Sequence, residues 1–277
     1  MADAILRDSE HDKKPFREST VGKEIDRASA AFATPLLRLC PTALVFGMWD
    51  STGPKGGLGT KFERAIVSEV VGINAAINEK NYGIRRDPLG IRAAVKVQQE
   101  TSSQWKIASD AKAKNAVSPS AINHSSVPFD SDNGGITVEY AEQVTTLSLI
   151  ALRRLRFPTD AGPAKADTNT AARTVLAALG LCSAALAFAP GMDLRSRCVL
   201  FPEGPMEWEL LATPGATPVR YTLDAAAAVK LLSDAAAAVK KAGLPWDTEP
   251  VVLTPSKQLV ELVRKSQELA VTETSEA

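Results

Sequence analysis

The sequence has few of the side chains on which catalytic and metal sites most often depend. Only two histidines, His11 and His124, occur in 277 residues, which nearly excludes a histidine-based metal site. The three cysteines, Cys40, Cys182 and Cys198, are odd in number and lack CxxC spacing. This pattern favours buried thiols in a reducing compartment. We therefore expect a cytoplasmic protein with no metal and no other cofactor.

The sequence also lacks a large net charge and a long apolar run. Thirty-two basic residues balance 32 acidic ones, which argues against a general nucleic-acid coat but permits a local basic track. No apolar run approaches the roughly 20 residues that span a bilayer, so no membrane partner is expected. Aromatic residues make up only 5% of the chain, which argues against an extensive platform for stacking bases.

What the chain does contain is a glycine-rich segment with positive side chains, followed by a predicted helix at 61–78. Free helix amides and a glycine backbone together favour a phosphate ligand. Leu58 and Phe62 stand where the triphosphate loop and the dinucleotide fingerprint require glycine, so neither motif is present. A plain turn with solvated lysines is the alternative. The predicted loop residues are Asp50, Ser51, Gly53, Gly56, Gly57 and Gly59, and the predicted cations are Lys55, Lys61 and Arg64.

Hydrophobic periodicity predicts an α+β fold. Strands are expected at about 36–46, 91–98, from 136 and at 197–201, and helices at 61–78, 147–155 and 168–189. Strand, helix, strand, insert, strand, helix, strand is the order of a ferredoxin-like or RNA-recognition core. We expect this modified core, with inserted lobes and added C-terminal helices, to form one domain over 21–270. A flexible N-terminus at 1–20, an arm or lobe at about 101–135 and a disordered tail at 271–277 complete the prediction.

Arginines form short clusters that suit a polyanion, because guanidinium groups bind phosphate with two hydrogen bonds. Arg153, Arg154 and Arg156 follow an apolar segment, and Arg195 with Arg197 precedes a predicted strand. For each cluster, a solvated face or a local ion pair is the alternative. Three further arginines, at 85, 86 and 92, surround a predicted turn.

No set of residues predicts catalysis, so we assign no catalytic residue. Asp50 has no second acid fixed near it and is expected to order the loop by accepting backbone hydrogen bonds. His124 lies in a polar segment, where an acid or base role in RNA cleavage is the less favoured alternative to a polar contact. The Asp130–Gly135 segment departs from a calcium loop at two ligand positions.

Several long strings of this sequence resemble one family. They are VFGMWDSTGPKGGLGTKFERAIVSEVVGINA, RRDPLGI, INHSSV, GGITVEYAEQ, LSLIALRRLRFP and LRSRC, within about 36–200. The sequence is similar to the RAMP-superfamily backbone subunit of the type I-U, or I-G, CRISPR surveillance complex, which is of the Cascade type. The C-terminal third is only loosely similar.

This resemblance implies a modified RNA-recognition domain, copies of which stack along one CRISPR RNA among other subunits of the complex. It implies that the target DNA strand pairs with the guide and that a separate enzyme cuts. Some relatives cleave target RNA with a loop aspartate, so Asp50 or Asp132 stays a candidate for a RAMP-type endoribonuclease. A structural assembly protein, whose basic clusters meet acidic partners, is the third hypothesis.

Overall fold

The computed structural model describes residues 9–50, 60–78, 84–85, 89–91, 95–101, 104–109, 115–122, 127–128, 135–159, 162–194 and 198–275. Within them, short 3-10 turns occur at Phe16–Glu18 and Pro119–Ile122. The helices are α1 (Thr20–Arg27), α2 (Thr34–Leu39), α3 (Pro41–Phe46), α4 (Leu149–Arg153), α5 (Ala166–Phe188), α6 (Ala225–Lys241) and α7 (Lys257–Ser275).

The strands are mostly short. They are β1 (Ser9–His11), β2 (Lys14–Pro15), β3 (Met48–Asp50), β4 (Thr60–Phe62), β5 (Ile66–Ile73), β6 (Ala76–Asn78), β7 (Ile84–Arg85), β8 (Val97–Thr101), β9 (Gln104–Ile107), β10 (Ala116–Val117), β11 (Val127–Pro128), β12 (Gly135–Thr137), β13 (Tyr140–Leu147), β14 (Met192–Asp193), β15 (Val199–Leu200), β16 (Glu207–Leu210), β17 (Val219–Thr222) and β18 (Thr254–Pro255).

These strands pair into small antiparallel sheets of two or three strands. The longest ladder joins β5 to β13, with Ile66 opposite Leu147 at one end and Ile73 opposite Tyr140 at the other. The predicted α+β class is therefore confirmed. The described residues contain no sheet of four strands, so the ferredoxin-like or RNA-recognition core stays a prediction.

The chain divides into two compact units. Unit 1 comprises Met1–Lys23, Ala76–Thr137 and Val251–Ala277, and unit 2 comprises Glu24–Ala75 and Val138–Pro250. Residues 9–18, for which the sequence predicts a flexible terminus, form β1, β2 and a 3-10 turn in which Phe16 is buried. The sequence predicts one domain over 21–270, and this stays a prediction.

Unit 1 has a small apolar core of its own. Ile91, Val97 and Ile122 are buried there together with Leu262 of α7. Trp105 on β9 packs against this cluster. Much of the segment at 101–135, predicted as an arm or lobe, therefore contributes strands and apolar side chains to unit 1 where the structure describes it.

Unit 2 has the larger core, and α5 supplies much of it. Val175 and Leu176 on α5 are fully buried and pack with Phe157, Leu36 and Leu37. Helix α6 packs along α5. This core matters for function because α3, α4 and β4, which position the basic residues described below, all have buried side chains in it.

Helix α5 contradicts the expectation that no apolar run could cross a membrane. By length and composition, it is the one helix of the described ranges that could do so. Its many alanines raise the mean hydropathy although they are small side chains. Ala172, Val175 and Ala178 of this helix lie in the core of unit 2, and core helices pass the same test of length and composition.

The predicted helix at 61–78 is wrong. Residues 60–62 form β4 and Ile66–Ile73 form β5, which pairs along its whole length with β13. The apolar positions fitted a helical stripe, but five of the eight β5 residues are valine or isoleucine. Such β-branched side chains favour strands. The paired residues are 67 to 81 positions apart along the chain, so the local pattern could not reveal the pairing.

The strand predicted at 36–46 is also wrong, because this segment forms α2 and α3. Pro35 and Pro41 occupy the first turns of these two helices, where the fixed backbone angle and missing N–H of proline are harmless. A proline such as Pro41 is equally compatible with an interrupted strand, so the sequence alone does not distinguish the two. The helices predicted at 147–155 and 168–189 are confirmed as α4 and α5.

Candidate nucleic-acid interface

A short hairpin of β3 and β4 holds the glycine-rich segment at its end. Trp49 lies opposite Lys61 in this ladder, and Asp50 lies opposite Thr60. Side chains alternate between two faces along a strand. Met48 and Phe62 face the core of unit 2, whereas Trp49 and Lys61 are exposed.

The hairpin changes the basis of the predicted phosphate site. The glycine-rich segment leads into β4 rather than into a helix, so the expected helix amides and dipole are missing. Asp50 is 8% exposed, which fits its predicted role in ordering the loop better than a contact with solvent. Residues 51–59 are outside the described residues, and with them the predicted loop positions Ser51, Gly53, Lys55, Gly56, Gly57 and Gly59.

The side chain of Arg64 packs closely against the backbone at Gly47, beside the hairpin. A Cβ atom on Gly47 would lie 2.9 Å from Arg64 Cγ and 3.1 Å from the carbonyl oxygen of Phe62. Gly47 also has a φ of +83°, which glycine adopts at little cost. Glycine at this position therefore lets Arg64 pack against the start of β3 with its side chain exposed.

The second basic site is the end of α4. Ser148 caps this helix, because its Oγ accepts a 3.1 Å hydrogen bond from the N–H of Ala151. The Ser148 N–H in turn donates to the carbonyl of Ala65 at 2.7 Å. Leu152 is buried in the core of unit 2. The cap and the buried leucine fix the helix, so that Arg153 and Arg154 reach solvent at its end.

Arg154 links α4 to the β3–β4 hairpin. Its Nη1 atom lies 2.7 Å from the Glu63 Oε2 atom, and Glu63 lies in sequence between Lys61 and Arg64. Both partners are more than 60% exposed, so the ion pair contributes little stability. It does show that the two predicted basic clusters are neighbours, and it partly neutralises Arg154.

Three other arginines lie close together. Arg153, Arg156 and Arg173 are close enough that the first two, together with the larger effect of burial, lower the pKa of Arg173. Across the described ranges, no carboxylate forms an ion pair with any of the three. Such a cluster of like charges is destabilising by itself and would be relieved by an anion.

Hydrogen bonds to backbone carbonyls hold two of these guanidinium groups in place. Arg156 Nη1 donates to the carbonyl of Arg153 at 2.7 Å, and Arg173 Nη2 donates to that of Leu155 at 2.8 Å. The buried Nε atom of Arg173 has no hydrogen-bond partner. Arg173 was missed because it lies alone in an alanine-rich helix, 17 residues after Arg156. Only the fold brings them together.

The remaining predicted residues are outside the described ranges. Arg195 and Arg197 fall in 195–197, between β14 and β15. His124 and Asp132, the residues of the endoribonuclease hypothesis, fall in 123–126 and 129–134. Their predicted roles stay predictions.

Where the structure describes the chain, it contains no group of three or more histidine, cysteine, aspartate or glutamate side chains that could hold a metal ion. The three cysteines are free. Burial raises the pKa of the Cys182 thiol, which disfavours a reactive thiolate at this position.

The comparison with protein families agrees with the resemblance noted in the sequence. Residues 1–77 match the model of a family described as CRISPR-associated protein GSU0053. The match includes α1–α3, the β3–β4 hairpin and β5, and supports a role in CRISPR defence with partners from a CRISPR system. No curated protein and no solved structure matches the chain.

Proposed function

We propose that this chain is a non-catalytic, RAMP-type backbone subunit that binds CRISPR RNA in a type I-U, or I-G, Cascade-type complex. Several copies, together with other subunits of the complex, hold one guide in the cytoplasm and present it for pairing with the target DNA strand. The contacts are made by Arg153, Arg156 and Arg173, with Lys61 and Arg64 beside them. A modified ferredoxin-like or RNA-recognition core belongs to this proposal.

The observation that carries the proposal is the arginine cluster at the end of α4. Its charges lack carboxylate partners in the described chain, although the protein as a whole has equal numbers of acidic and basic residues. Positive charge has therefore been concentrated locally. A guide-binding subunit must accept any spacer sequence, so it should bind phosphates and leave the base edges free. Arginine forks at a surface do this.

The test is the affinity for a single-stranded RNA, measured by fluorescence anisotropy at several salt concentrations. The double variant Arg153→Gln/Arg156→Gln should bind about tenfold more weakly, because each exposed contact contributes up to about 1 kcal/mol. The slope of log K against log salt should become shallower by about 1.4, since each phosphate contact on a single strand contributes about 0.7.

The matched control is Lys240→Gln/Lys241→Gln, which removes two exposed positive charges from the last turn of α6. It should leave affinity and slope almost unchanged. Circular dichroism and thermal melting check that both double variants are folded. Equal losses of affinity in the two variants would mean that only the net charge matters. An unchanged salt slope in the arginine variant would contradict the proposed phosphate contacts.

The proposed role includes no bond cleavage by this chain. Labelled RNA incubated with the purified protein should remain intact at neutral pH, with and without Mg²⁺. Cleavage that is lost in His124→Ala or Asp132→Ala would instead establish the endoribonuclease alternative. Stable oligomers that form without nucleic acid and resist nuclease would favour the structural assembly hypothesis.

A further inference from the structure

Trp49 is an exposed tryptophan of unit 2. It lies in the middle of β3 with 70% of its surface exposed, whereas tryptophan is highly buried on average. Its two neighbours in the strand, Met48 and Asp50, turn to the opposite face, where Met48 packs on the core. The exposure therefore follows from a regular strand with one face packed, and not from a frayed end.

Lys61 is the cross-strand partner of Trp49. Directly opposite residues in an antiparallel pair have Cβ atoms about 4.5–5.5 Å apart on the same face. The indole and the ammonium group are thus presented side by side to solvent. An aromatic ring beside a cation is the combination with which proteins bind a single strand, the ring stacking on a base and the cation contacting the backbone.

We propose that Trp49 stacks on a nucleobase of the bound single strand, while Lys61 contacts an adjacent phosphate. This inference rests on the proposed function, and it adds a base contact to a surface otherwise built for phosphates. Stacking does not read sequence, because every base has an aromatic face, so the contact is compatible with a guide of any spacer sequence. A low aromatic content argues against an extensive stacking platform but is compatible with a single stacking site.

A protein partner is the competing occupant of an exposed tryptophan. The surroundings favour RNA, because the neighbour of the indole is a lysine and not another apolar side chain. Arg64 lies three residues after Lys61 in the sequence. The Glu63–Arg154 ion pair places the end of α4 beside the hairpin. A protein-binding hot spot is typically enclosed by groups that exclude water, whereas Lys61, the residue opposite Trp49, is charged and exposed.

The experiment compares two single-stranded ligands of equal charge and length. One is an oligouridylate, and the other is a tetrahydrofuran-phosphate oligomer that has phosphates but no bases. Affinities are measured for the wild type, Trp49→Ala and Trp49→Phe. The matched control is Phe201→Ala, which removes an aromatic side chain of unit 2 that is 80% exposed.

The wild type should bind the oligouridylate about tenfold more tightly than the base-free ligand, as expected for one stacked base. Trp49→Ala should lose this preference and bind the base-free ligand as the wild type does. Trp49→Phe should keep most of the preference, and Phe201→Ala all of it. Oligouridylate should also quench a tryptophan fluorescence component that is absent from Trp49→Phe.

The possible failures are distinguishable. If the wild type binds both ligands and Trp49→Ala leaves the preference unchanged, the stacking inference is wrong and the phosphate contacts stand. If the wild type binds neither ligand, the proposed function fails and the inference with it. If Trp49→Ala alters only self-association in size-exclusion chromatography, Trp49 contacts protein and the inference is overturned.

Discussion

Two of the antiparallel ribbons in unit 2 have exposed faces that differ in chemistry. On the β3–β4 hairpin, the outer face presents Trp49 and Lys61. On the β5–β13 ribbon, one face presents apolar side chains together with two carboxylates. The exposed members of that face, which alternate along the two strands, are Val67, Glu69, Val71, Tyr140, Glu142, Val144 and Thr146.

The difference teaches that exposure alone does not indicate an RNA surface. Both ribbons expose apolar side chains to solvent, but only the hairpin places a cation beside an aromatic ring. Glu69 and Glu142 would repel a phosphate backbone at short range. We therefore assign the polyanion to the hairpin and the end of α4, and none of it to the β5–β13 ribbon.

The largest expected effect concerns the inner face of the hairpin. Phe62 is 6% exposed within the core of unit 2, so Phe62→Ala should lower the free energy of unfolding by about 3–5 kcal/mol. Urea denaturation followed by circular dichroism measures this. Phe201→Ala, at an exposed aromatic position, is the control and should change stability little. Similar losses in both variants would contradict the assignment of the two hairpin faces.

The next effect concerns the cations of the hairpin. Lys61→Gln/Arg64→Gln should weaken binding of single-stranded RNA about tenfold and reduce the salt slope by about 1.4, because two exposed phosphate contacts are lost. Anisotropy titrations at several salt concentrations measure both quantities. Lys240→Gln/Lys241→Gln serves as the control. An equal loss of affinity in the control would show that the hairpin cations are no more important than other positive charges of unit 2.

The sequence located the helix that carries Arg153 better than it located the strands of the hairpin. The helix predicted at 147–155 is confirmed as α4, whereas the RNA-binding role of Arg153, Arg154 and Arg156 stays a prediction. Helices α4 and α5 were found because their caps and apolar content are also local. The α+β class followed from the same local signals.

What the sequence could not provide depends on contacts between distant segments. The β5 strand exists because β13 pairs with it, and the isolated apolar pattern fitted a helix equally well. Arg173 joins the cluster only through the packing of α5 against α4. The exposure of Trp49 likewise depends on which hairpin face meets the core, and strand periodicity alone leaves that choice open.

A smaller effect is expected at the junction between the ribbon and the arginine cluster. Ser148 follows β13 directly and caps α4 through its Oγ atom, so Ser148→Ala should cost about 1 kcal/mol of folding free energy. Denaturant titration measures this. Ser148→Asp, which retains a capping oxygen, should lose less stability. If alanine and aspartate are equally destabilising, the cap does not hold the helix.

The smallest effect is expected on the β5–β13 ribbon, and it tests the comparison most directly. Glu69→Gln/Glu142→Gln removes two negative charges from its exposed face, in the same unit as the hairpin. If RNA does not reach this face, affinity should rise less than twofold at about 0.15 M salt, because screening suppresses interactions beyond about 8 Å.

The informative measurement is again the salt dependence of RNA binding. Removing a distant acid changes the long-range field slightly and leaves the number of phosphate contacts unchanged, so the slope should stay that of the wild type. A rise in affinity as large as the loss in Lys61→Gln/Arg64→Gln would indicate that the bound RNA runs along both ribbons. The acidic side chains would then lower the affinity of one continuous RNA-binding surface, and the contrast between the two faces would disappear.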